Sequence, residues 1–489
     1  MKLCQLLGRV APVGAKGDTD TEITHLSHSC DDIRRGTLFF CLEGASADGH
    51  EFAAEAVIRG AAALVVNRFL PLGVPQIAVR NTRRAMSVIS RNFYGNPSEK
   101  LKTIAVTGTN GKTSTCFITA AVLSKGGRKC GIIGTNGIFY GGKRFDSELT
   151  TPDPIVLNSV LADMVKAGTD TVVFEASAHA IALSKLDGTV ADIGVFTNLS
   201  QDHLDFFGTM ERYGEVKRSF FSPSWVKAAV VNSDDSLGAK LSVNPLVPTF
   251  TYGSGHASDA HFACYSENEN GSEYYINLKG TLIQVNTGLS GRFNAYNATA
   301  AASVCYLLGI EPSVIAQGIG EVSAVPGRNE TVFVDGIKCV VDFAHTPDGM
   351  ENILSSLRNA TGNGKSAAAG GGRLIVVFGC GGDRDKSKRP LMGKAASRYA
   401  DYVILTEDNP RSERAENIVS EIAEGVTVPF KVITDRREAV SAALSEAKSG
   451  DTVAILGKGA EKEIIRGKER IPYSDKEFLL SLKEKTRSG

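Results

Sequence analysis

Short apolar runs alternate with amphipathic stretches along most of the chain, and this alternation predicts the order of strands and helices. In the first hundred residues, apolar runs at 37–42, 61–66 and 76–79 are separated by helical patterns such as 52–59. Strands that alternate with helices are typical of α/β folds, so this segment predicts a small α/β domain. The turn-forming residues at 94–98 predict a boundary after it.

The same rhythm continues beyond residue 101 and predicts a second, larger unit. Its apolar runs lie at 103–106, 171–174, 193–197 and 228–232. They alternate with helices, which predicts a mostly parallel sheet covered on both faces. A polar stretch at 254–272 predicts a β-rich excursion, and the alanine-rich stretch 294–308 predicts a helix.

The residues at 325–328, Val-Pro-Gly-Arg, predict a second hinge. Beyond it, apolar runs at 375–378, 402–405, 431–434 and 452–456 predict a Rossmann-like unit, with a low-complexity surface loop at 366–372. A chain of 489 residues is longer than one core usually supports. We therefore expect an α/β protein with three domains, at residues 1–98, 99–326 and 327–489.

Charge and cysteine content narrow the classes of function. Lys+Arg and Asp+Glu both total 54, so no overall field attracts nucleic acid or an anionic membrane. The nine cysteines are scattered and form no Cys-x-x-Cys pair, which indicates reduced thiols and argues against a zinc site. No apolar run reaches the roughly 20 residues that a membrane-spanning helix needs. We expect a soluble, cytoplasmic protein that neither binds nucleic acid nor inserts into a membrane.

The strongest chemical signal is the sequence Thr-Gly-Thr-Asn-Gly-Lys-Thr at 107–113, between a predicted strand and a predicted helix at 114–125. Backbone N–H groups at such a helix start can bind phosphate oxygens, Lys112 can neutralise the terminal phosphates, and the Thr113 hydroxyl can hold Mg²⁺. The first glycine of the usual spacing would fall at Val106, so this loop is a shortened form. It predicts an ATP site and leaves motor, kinase and ligase open.

Two other strand ends supply candidate metal ligands. Glu175 ends the run 171–174, and His203 lies in the segment Asp-His-Leu-Asp at 202–205, shortly after the run 193–197. A glutamate at a strand end is more often a solvated cap, and a single histidine is more often a core or capping residue. Because both follow strands that end on the same sheet edge as the phosphate loop, convergence on one metal ion is the favoured interpretation.

A larger set of motifs, in order along nearly the whole chain, resembles the Mur ligases, and among them the members that form the tripeptide of the peptidoglycan precursor. The motifs lie at 107–113, 150–152, 175–179, 198–205, 291–294, 327–328, 342–348, 379–390, 408–411 and 457–459. The resemblance implies that the three domains bind a UDP-sugar, ATP and an amino acid, respectively, and we expect a monomer.

The resemblance also implies the reaction. The D-Glu γ-carboxylate of UDP-N-acetylmuramoyl-L-alanyl-D-glutamate attacks the γ-phosphate of ATP, and the amine of meso-diaminopimelate then displaces the resulting acyl phosphate. A carboxylate and a triphosphate repel each other, so cations must dominate the site.

Matching positions receive implied roles. The implied ATP contacts are Gly108, Thr109, Asn110, Gly111, Lys112, Thr113, Asn297, Arg328, Asp342 and His345. The implied contacts to the UDP-muramoyl-dipeptide are Thr150, Thr151, Ser177 and Lys185, and those to the amino acid are Arg384, Asn409, Arg411, Gly457 and Glu461. The implied magnesium ligands are Thr113, Glu175, His203 and Lys217, and the implied catalytic residues are Lys112, Glu175, His203 and Lys217.

Lys217 lies four residues after Tyr213, which matches the lysine that the family carbamylates with CO₂. Without the resemblance, an ordinary surface lysine on a helix at 213–220 would be the better interpretation. Likewise, the segment Asp-Asn-Pro-Arg at 408–411 would be a simple turn, whereas the resemblance makes it the version that selects meso-diaminopimelate. Two arginines and a carboxylate suit a ligand with two carboxylates and a free ammonium.

Several alternatives and departures accompany this hypothesis. An L-lysine-adding ligase would not need Arg411, a folylpolyglutamate synthetase should lack the separate N-terminal domain, and a P-loop motor or regulatory protein would lack the acceptor pocket. The departures from the family pattern are Ala178, Leu183, Lys185, Ala460 and the segment Ser-Cys-Asp at 29–31, whereas Asp-Gly-His at 48–50 matches.

Overall fold

The computed structural model describes residues 1–44, 47–243, 245–268, 270–360 and 372–487. Their strands form three large sheets and one two-stranded ribbon. Most of the low-complexity loop predicted at 366–372 lies outside the described residues. None of the described helices is long and apolar enough to cross a membrane.

The N-terminal sheet has five strands, in the order β1-β5-β4-β3-β2, and β1 alone in it is antiparallel to its neighbour. Its strands are β1 Pro12–Lys16, β2 His25–Ser27, β3 Thr37–Phe40, β4 Ala61–Val66 and β5 Gln76–Val79, and its helices are α1 Leu3–Leu6, α2 Ala53–Ile58 and α3 Thr82–Phe93, with short 3₁₀ turns at Cys30–Asp32, Gly49–Phe52 and Pro97–Lys100. The central strands lie where the apolar runs predict them, because strands buried on both faces carry continuous apolar sequence.

The central sheet has eleven strands, in the order β16-β15-β14-β13-β12-β11-β6-β10-β7-β8-β9. The strands are β6 Lys102–Thr107, β7 Cys130–Gly134, β8 Gly137–Tyr140, β9 Lys143–Phe145, β10 Thr171–Glu175, β11 Ala191–Phe196, β12 Val226–Asn232, β13 Thr249–Gly253, β14 Ala260–Asn268, β15 Gly271–Leu278 and β16 Thr281–Thr287. The helices are α4 Lys112–Lys125, α5 Pro154–Lys166, α6 Ala178–Ala182, α7 Leu204–Phe207, α8 Met210–Ser219, α9 Ser236–Val243, α10 Arg292–Leu307 and α11 Pro312–Gly320.

The strands β14, β13, β12, β11, β6, β10 and β7, which are neighbours in the sheet, are parallel to one another. Antiparallel strands extend the sheet at both edges, β15 and β16 at one and β8 and β9 at the other. The excursion predicted at 254–272 is one of these extensions, but it begins later and runs through β16. Neighbouring residues of β6 pack on opposite faces: Val106 joins the core under α4 and α10, and Ala105 joins the core under α5 and α6. The predicted cover on both faces is therefore present.

The C-terminal sheet has six strands, in the order β17-β18-β22-β19-β20-β21, and β17 is its antiparallel edge. The strands are β17 Glu330–Val334, β18 Ile337–Asp342, β19 Leu374–Phe378, β20 Tyr402–Leu405, β21 Phe430–Val432 and β22 Thr452–Leu456, followed by the ribbon β23 Glu463–Arg466 and β24 Glu469–Pro472. The helices are α12 Pro347–Ala360, α13 Lys388–Tyr399, α14 Ala415–Ala423, α15 Arg436–Glu446 and α16 Asp475–Arg487. Each sheet has its own core, and the exact domain limits stay predictions.

Candidate active site

The loops that follow the parallel strands of the central and C-terminal sheets line one cavity of about 590 Å³. Loops after β6, β10 and β11 contribute from the central sheet, and loops after β18, β19, β20 and β22 contribute from the C-terminal sheet. The carboxyl ends of parallel strands are where α/β proteins bind ligands. The cavity is therefore the natural place for the predicted site.

The phosphate loop connects β6 to α4 through two glycines with positive φ, 149° at Gly108 and 84° at Gly111. The loop is fixed from β11 and its following residues. The Thr197 hydroxyl donates to the Asn110 carbonyl at 2.6 Å, and the Asn110 N–H donates to Asn198 Oδ1 at 2.9 Å. Asn297 lies against Gly111, so a side chain at residue 111 would overlap it.

Lys112 begins α4 and folds back over its own loop. Its Nζ donates to the carbonyls of Gly108 and Thr109 at 3.0 and 2.8 Å. Burial lowers the pKa of Lys112, and the nearby Glu175 opposes this shift. The ammonium thus lies at the mouth of the loop, where a phosphate would replace the carbonyls as its partner.

An oxygen-rich cluster lies beside the loop. Glu175, 1% exposed, accepts hydrogen bonds from the Thr113 hydroxyl at 2.9 Å and from the Thr135 N–H and hydroxyl at 2.9 and 3.2 Å. Arg328, which stacks on Phe343 at 4.3 Å, donates to the same Thr113 hydroxyl at 2.9 Å. The described residues contain no group of three or more His, Cys, Asp or Glu side chains poised for a metal. A carboxylate and a hydroxyl still suit Mg²⁺, which takes most of its ligands from water and phosphate.

The residues around His203 join the central and C-terminal sheets. Asp202, 4% exposed, lies 3.4 Å from the Nε2 atoms of both His203 and His345 and 3.0 Å from Lys388 Nζ. Burial would raise the pKa of Asp202, but the charge of Lys388 and the hydrogen bond from His345 hold this pKa well below its ordinary value. Burial lowers the pKa of His203 to about 3, so its imidazole is neutral near neutral pH. A neutral imidazole is the form that can bind a metal.

Lys217 is buried, which contradicts its interpretation as a surface lysine. Its side chain is 1% exposed, and Nζ donates to the Gly108 carbonyl at 2.8 Å and lies 4.7 Å from the centre of the Tyr213 ring. Burial holds the pKa of Lys217 well below its ordinary value, and the charge of Lys112 adds to this shift.

The residues predicted to contact the UDP-muramoyl-dipeptide divide into two groups. Thr150 and Ser177 line the cavity, and Thr151 joins them from behind, because its hydroxyl accepts from the Ser177 N–H at 3.0 Å. Lys185 forms an ion pair with Asp153 instead, at 2.7 Å. Asp153 also lies 3.6 Å from the ring of His28 in the N-terminal domain, so this second group faces that domain.

The residues predicted to bind the amino acid line the cavity from the C-terminal sheet. Asn409 donates to Glu461 at 2.8 Å, and the fully buried Lys458 donates to both side chains, at 3.0 and 2.9 Å. Gly457 has φ 108°. Arg384 and Arg411 complete the lining, and burial lowers the pKa of Arg411, with the charge of Arg384 adding to this shift.

Ala460, one of the departures from the family pattern, lies at the predicted hinge. A side chain at Gly327 would collide with the backbone of Ala460. The loop after β22 therefore packs directly on the hinge, backbone against backbone.

Sequence reasoning missed several residues of the site. Asp348 accepts from Asn110 at 2.7 Å and Lys388 pairs with Asp202, so both join the central and C-terminal sheets. Both lie within motifs that carry the family resemblance, but the resemblance assigned no role to either residue. Thr135, which binds Glu175, lies outside every motif, so the sequence carried no signal for it.

Comparisons with known proteins agree with this geometry. Residues 106–305 match the family described as Mur ligase middle domain, and residues 327–459 match the one described as Mur ligase, glutamate ligase domain. A UDP-N-acetylmuramoyl-L-alanyl-D-glutamate--2,6-diaminopimelate ligase from Aquifex aeolicus (strain VF5) is 41% identical, covering 92% of this chain and 91% of its own. The protein of the same name from Geobacillus thermodenitrificans (strain NG80-2) is 39% identical and covers 97% and 98%.

Solved structures give the same result for the fold. A structure titled as a UDP-N-acetylmuramoyl-L-alanyl-D-glutamate--2,6-diaminopimelate ligase has a TM-score of 0.69 at 29% identity and covers 100% of this chain and 99% of that one. A folylpolyglutamate synthase from Mycobacterium tuberculosis has a TM-score of 0.64 at 18% identity and covers 76% of this chain, so it shares the fold over part of the length. With relatives above 30% identity over nearly the whole length, the chain belongs to the Mur ligase family.

Proposed function

We propose that the chain is an ATP-dependent amide ligase that adds meso-diaminopimelate to the D-Glu γ-carboxylate of UDP-N-acetylmuramoyl-L-alanyl-D-glutamate. One observation carries the proposal: a single cavity is lined by the phosphate loop, by Glu175 and by the pocket of Arg384, Arg411 and Glu461. A nucleotide, a carboxylate and an amino acid can therefore meet there. The names of the relatives supply the identity of the substrates.

The residues of the cavity have separate tasks in this reaction. Lys112, at the loop, and Arg328, on the Thr113 hydroxyl, provide positive charge where the attacking carboxylate meets the γ-phosphate. Thr113, Glu175 and His203 would hold Mg²⁺, which screens the charge of the phosphates when it is bound. The pocket of Asn409, Arg411 and Glu461 holds the amino acid so that its amine faces the acyl phosphate.

We assign a carbamate to Lys217. In this step the neutral amine adds to CO₂: a C–N bond forms as one C=O π bond of CO₂ opens, one proton leaves to solvent, and a neutral group becomes an anion. The buried Nζ donates to one carbonyl, that of Gly108, and the described residues place no carboxylate in ion-pair contact with it. A carbamate would lie next to the positive Lys112, whose ammonium bonds to the same Gly108 carbonyl, and an anion beside the phosphate loop would help to hold Mg²⁺.

The remaining assignments follow the arrangement of the domains. We assign the UDP-sugar to the N-terminal domain, with its peptide end near Thr150, Thr151 and Ser177, and Lys185 at the domain junction. The monomeric state and the cytoplasmic location stay predictions.

The test is a ligation assay with the purified full-length chain, ATP, Mg²⁺ and the UDP-muramoyl-dipeptide. Meso-diaminopimelate, L-lysine and L-glutamate are supplied one at a time, and product is identified by mass. We expect one product, the UDP-muramoyl-tripeptide with diaminopimelate, together with ADP and phosphate. Equal use of L-lysine would contradict the assigned amino acid, and ATP hydrolysis without any ligated product would contradict the ligase itself.

A further inference from the structure

A buried ion pair ties together the two loops that carry Arg384 and Arg411. Arg389, in the first turn of α13, has a fully buried side chain, and its guanidinium meets the two carboxylate oxygens of Glu413 at 2.9 and 3.1 Å. A planar guanidinium that binds a carboxylate at two points fixes its orientation as well as its position. Glu413 follows β20, and Arg389 follows β19, so the pair joins neighbouring loops.

Glu413 extends this constraint to the residues next to both arginines. Its carboxylate accepts from the Asp383 N–H at 2.7 Å. The Asp383 carboxylate in turn accepts from the Ser412 N–H and hydroxyl at 3.1 and 2.6 Å. Asp383 precedes Arg384, and Ser412 follows Arg411. The chain of bonds therefore ends directly beside each arginine of the pocket.

These bonds stabilise a backbone that the loops would not otherwise adopt. Asp383 and Arg411 have φ values of 53° and 52°, a left-handed conformation that residues with side chains seldom adopt. The Arg411 guanidinium also donates to the Gly382 carbonyl at 2.8 Å, which fixes its direction. Both loops are thus held in a defined and strained shape.

That shape brings two like charges to the same wall of the cavity. Arg384 and Arg411 both line it. Two guanidinium groups repel each other until an anion lies between them, so rigid loops are needed to keep the arginines converged in the empty pocket.

The first turn of α13, which carries Arg389, is also bonded to the central domain. Lys388, the neighbour of Arg389, pairs with Asp202 of the central domain at 3.0 Å, and both side chains are nearly buried. The first turn of α13 is therefore fixed relative to the loop that carries His203.

We propose that Arg389 and Glu413 are positioning residues that hold Arg384 and Arg411 converged on a carboxylate of the incoming amino acid. The proposal rests on the proposed function, because it takes the amino acid to be the ligand of these arginines. In the described chain, neither Arg389 nor Glu413 lines the cavity, so they act through the loops.

The test compares Glu413→Gln with Glu421→Gln in the full-length enzyme. Glu413→Gln keeps the size of the side chain and removes the charge that orders both loops. Glu421→Gln is the matched control, because Glu421 accepts from the same Arg389 at 2.9 Å but lies on α14, away from the loops. Steady-state kinetics give kcat and KM for each substrate, and thermal unfolding gives Tm.

We expect Glu413→Gln to raise the KM for meso-diaminopimelate about tenfold or more, as the loss of one charge-assisted contact would. The KM values for ATP and the UDP-muramoyl-dipeptide should not change, and Glu421→Gln should leave all three KM values unchanged. An unchanged KM for meso-diaminopimelate in Glu413→Gln, or an equal rise in both variants, would overturn the proposal.

A second variant covers a failure of Glu413→Gln to fold. Asp383→Asn breaks the same chain of bonds at an exposed side chain and should raise the same KM; no rise would overturn the proposal. Wild-type enzyme is measured first: if it does not use meso-diaminopimelate, the proposed function fails and this inference with it. If wild type does use it and the variants match wild type, this inference alone fails.

Discussion

At the scale of single residues, we expect selectivity for the amino acid to depend on Arg411. If it pairs with the distal carboxylate of meso-diaminopimelate, lysine leaves a partly buried guanidinium without an anionic partner. Charge-assisted hydrogen bonds contribute roughly 1.5–3 kcal/mol each, so wild type should prefer meso-diaminopimelate by about 10- to 1,000-fold in kcat/KM. Arg411→Ala should shrink this preference, mainly by weakening use of meso-diaminopimelate. Kinetics with both amino acids measure the ratio.

The control for this prediction is Arg414→Ala, three residues away, whose side chain is 80% exposed. It should keep the wild-type ratio. An unchanged ratio in Arg411→Ala would show that Arg411 does not read the distal carboxylate.

Lys217 shows what sequence reasoning misses at this scale. Its neighbours on α8 are polar, so periodicity alone predicts a solvent-exposed lysine, whereas the structure buries it against Tyr213 and the Gly108 carbonyl. The burial depends on the phosphate loop and α8 meeting in space, and no local pattern encodes that contact. The resemblance to a family singled out the residue, and the structure supplies the environment.

We expect Lys217 to carry a carbamate in the active enzyme. With ¹³C-labelled bicarbonate, wild type should give a carbamate signal in the ¹³C NMR spectrum, and Lys217→Ala should lack it and lose ligation. Added short carboxylates should restore part of the activity by replacing the missing anion. Lys240→Ala, at an exposed lysine on α9, is the control and should keep both signal and activity. A fully active wild type without the signal would contradict the carbamate.

At the scale of elements, apolar runs predicted the buried parallel strands well. Predicted and observed bounds of β6, β10 and β12 differ by one or two residues, because a strand covered on both faces has little choice of residue. The strands β7 to β9, toward one edge of the central sheet, escaped prediction. All three are short: β7 and β8 contain glycine and are partly buried, and β9 contains Lys143 and Arg144 and is exposed, so they carry no continuous apolar signal.

A pair of glycines at the two ends of α4 gives a prediction at this scale. Gly111 and Gly127 have φ values of 84° and 82°, but a side chain at residue 111 would overlap Asn297, whereas residue 127 faces open space. Each glycine-to-alanine change should destabilise the fold by about 1–2 kcal/mol through the left-handed backbone. Gly111→Ala should in addition weaken ATP binding, measured by calorimetry, and Gly127→Ala should not. Equal ATP affinity in the two variants would contradict the assignment of the phosphate loop to the nucleotide site.

At the scale of the whole molecule, the site exists because distant segments meet. The bonds from Asn110 to Asp348 and from Lys388 to Asp202 join residues 238 and 186 positions apart. Most of the motifs follow a strand end, and the structure brings residues of these motifs together around one cavity. Motif order could not predict these pairings between sheets, since they depend on how the C-terminal domain lies over the central one.

The final prediction concerns Lys112 and follows from the assignment of ATP and the UDP-sugar to different domains. The phosphate loop lies in the central domain, whereas the UDP-sugar is assigned to the N-terminal domain, so the two substrates should be anchored separately. Lys112→Ala removes the ammonium at the loop and should lower ligation by 10²- to 10³-fold or more, the order seen when one charge-stabilising group is lost. Binding of the UDP-muramoyl-dipeptide, measured by calorimetry without ATP, should stay near wild type. Lys125→Ala, in the last turn of the same helix and bonded to Glu321, should change neither property. A parallel loss of ligation and of UDP-substrate binding in Lys112→Ala would refute the separate anchoring, because a single domain would then have to hold both substrates.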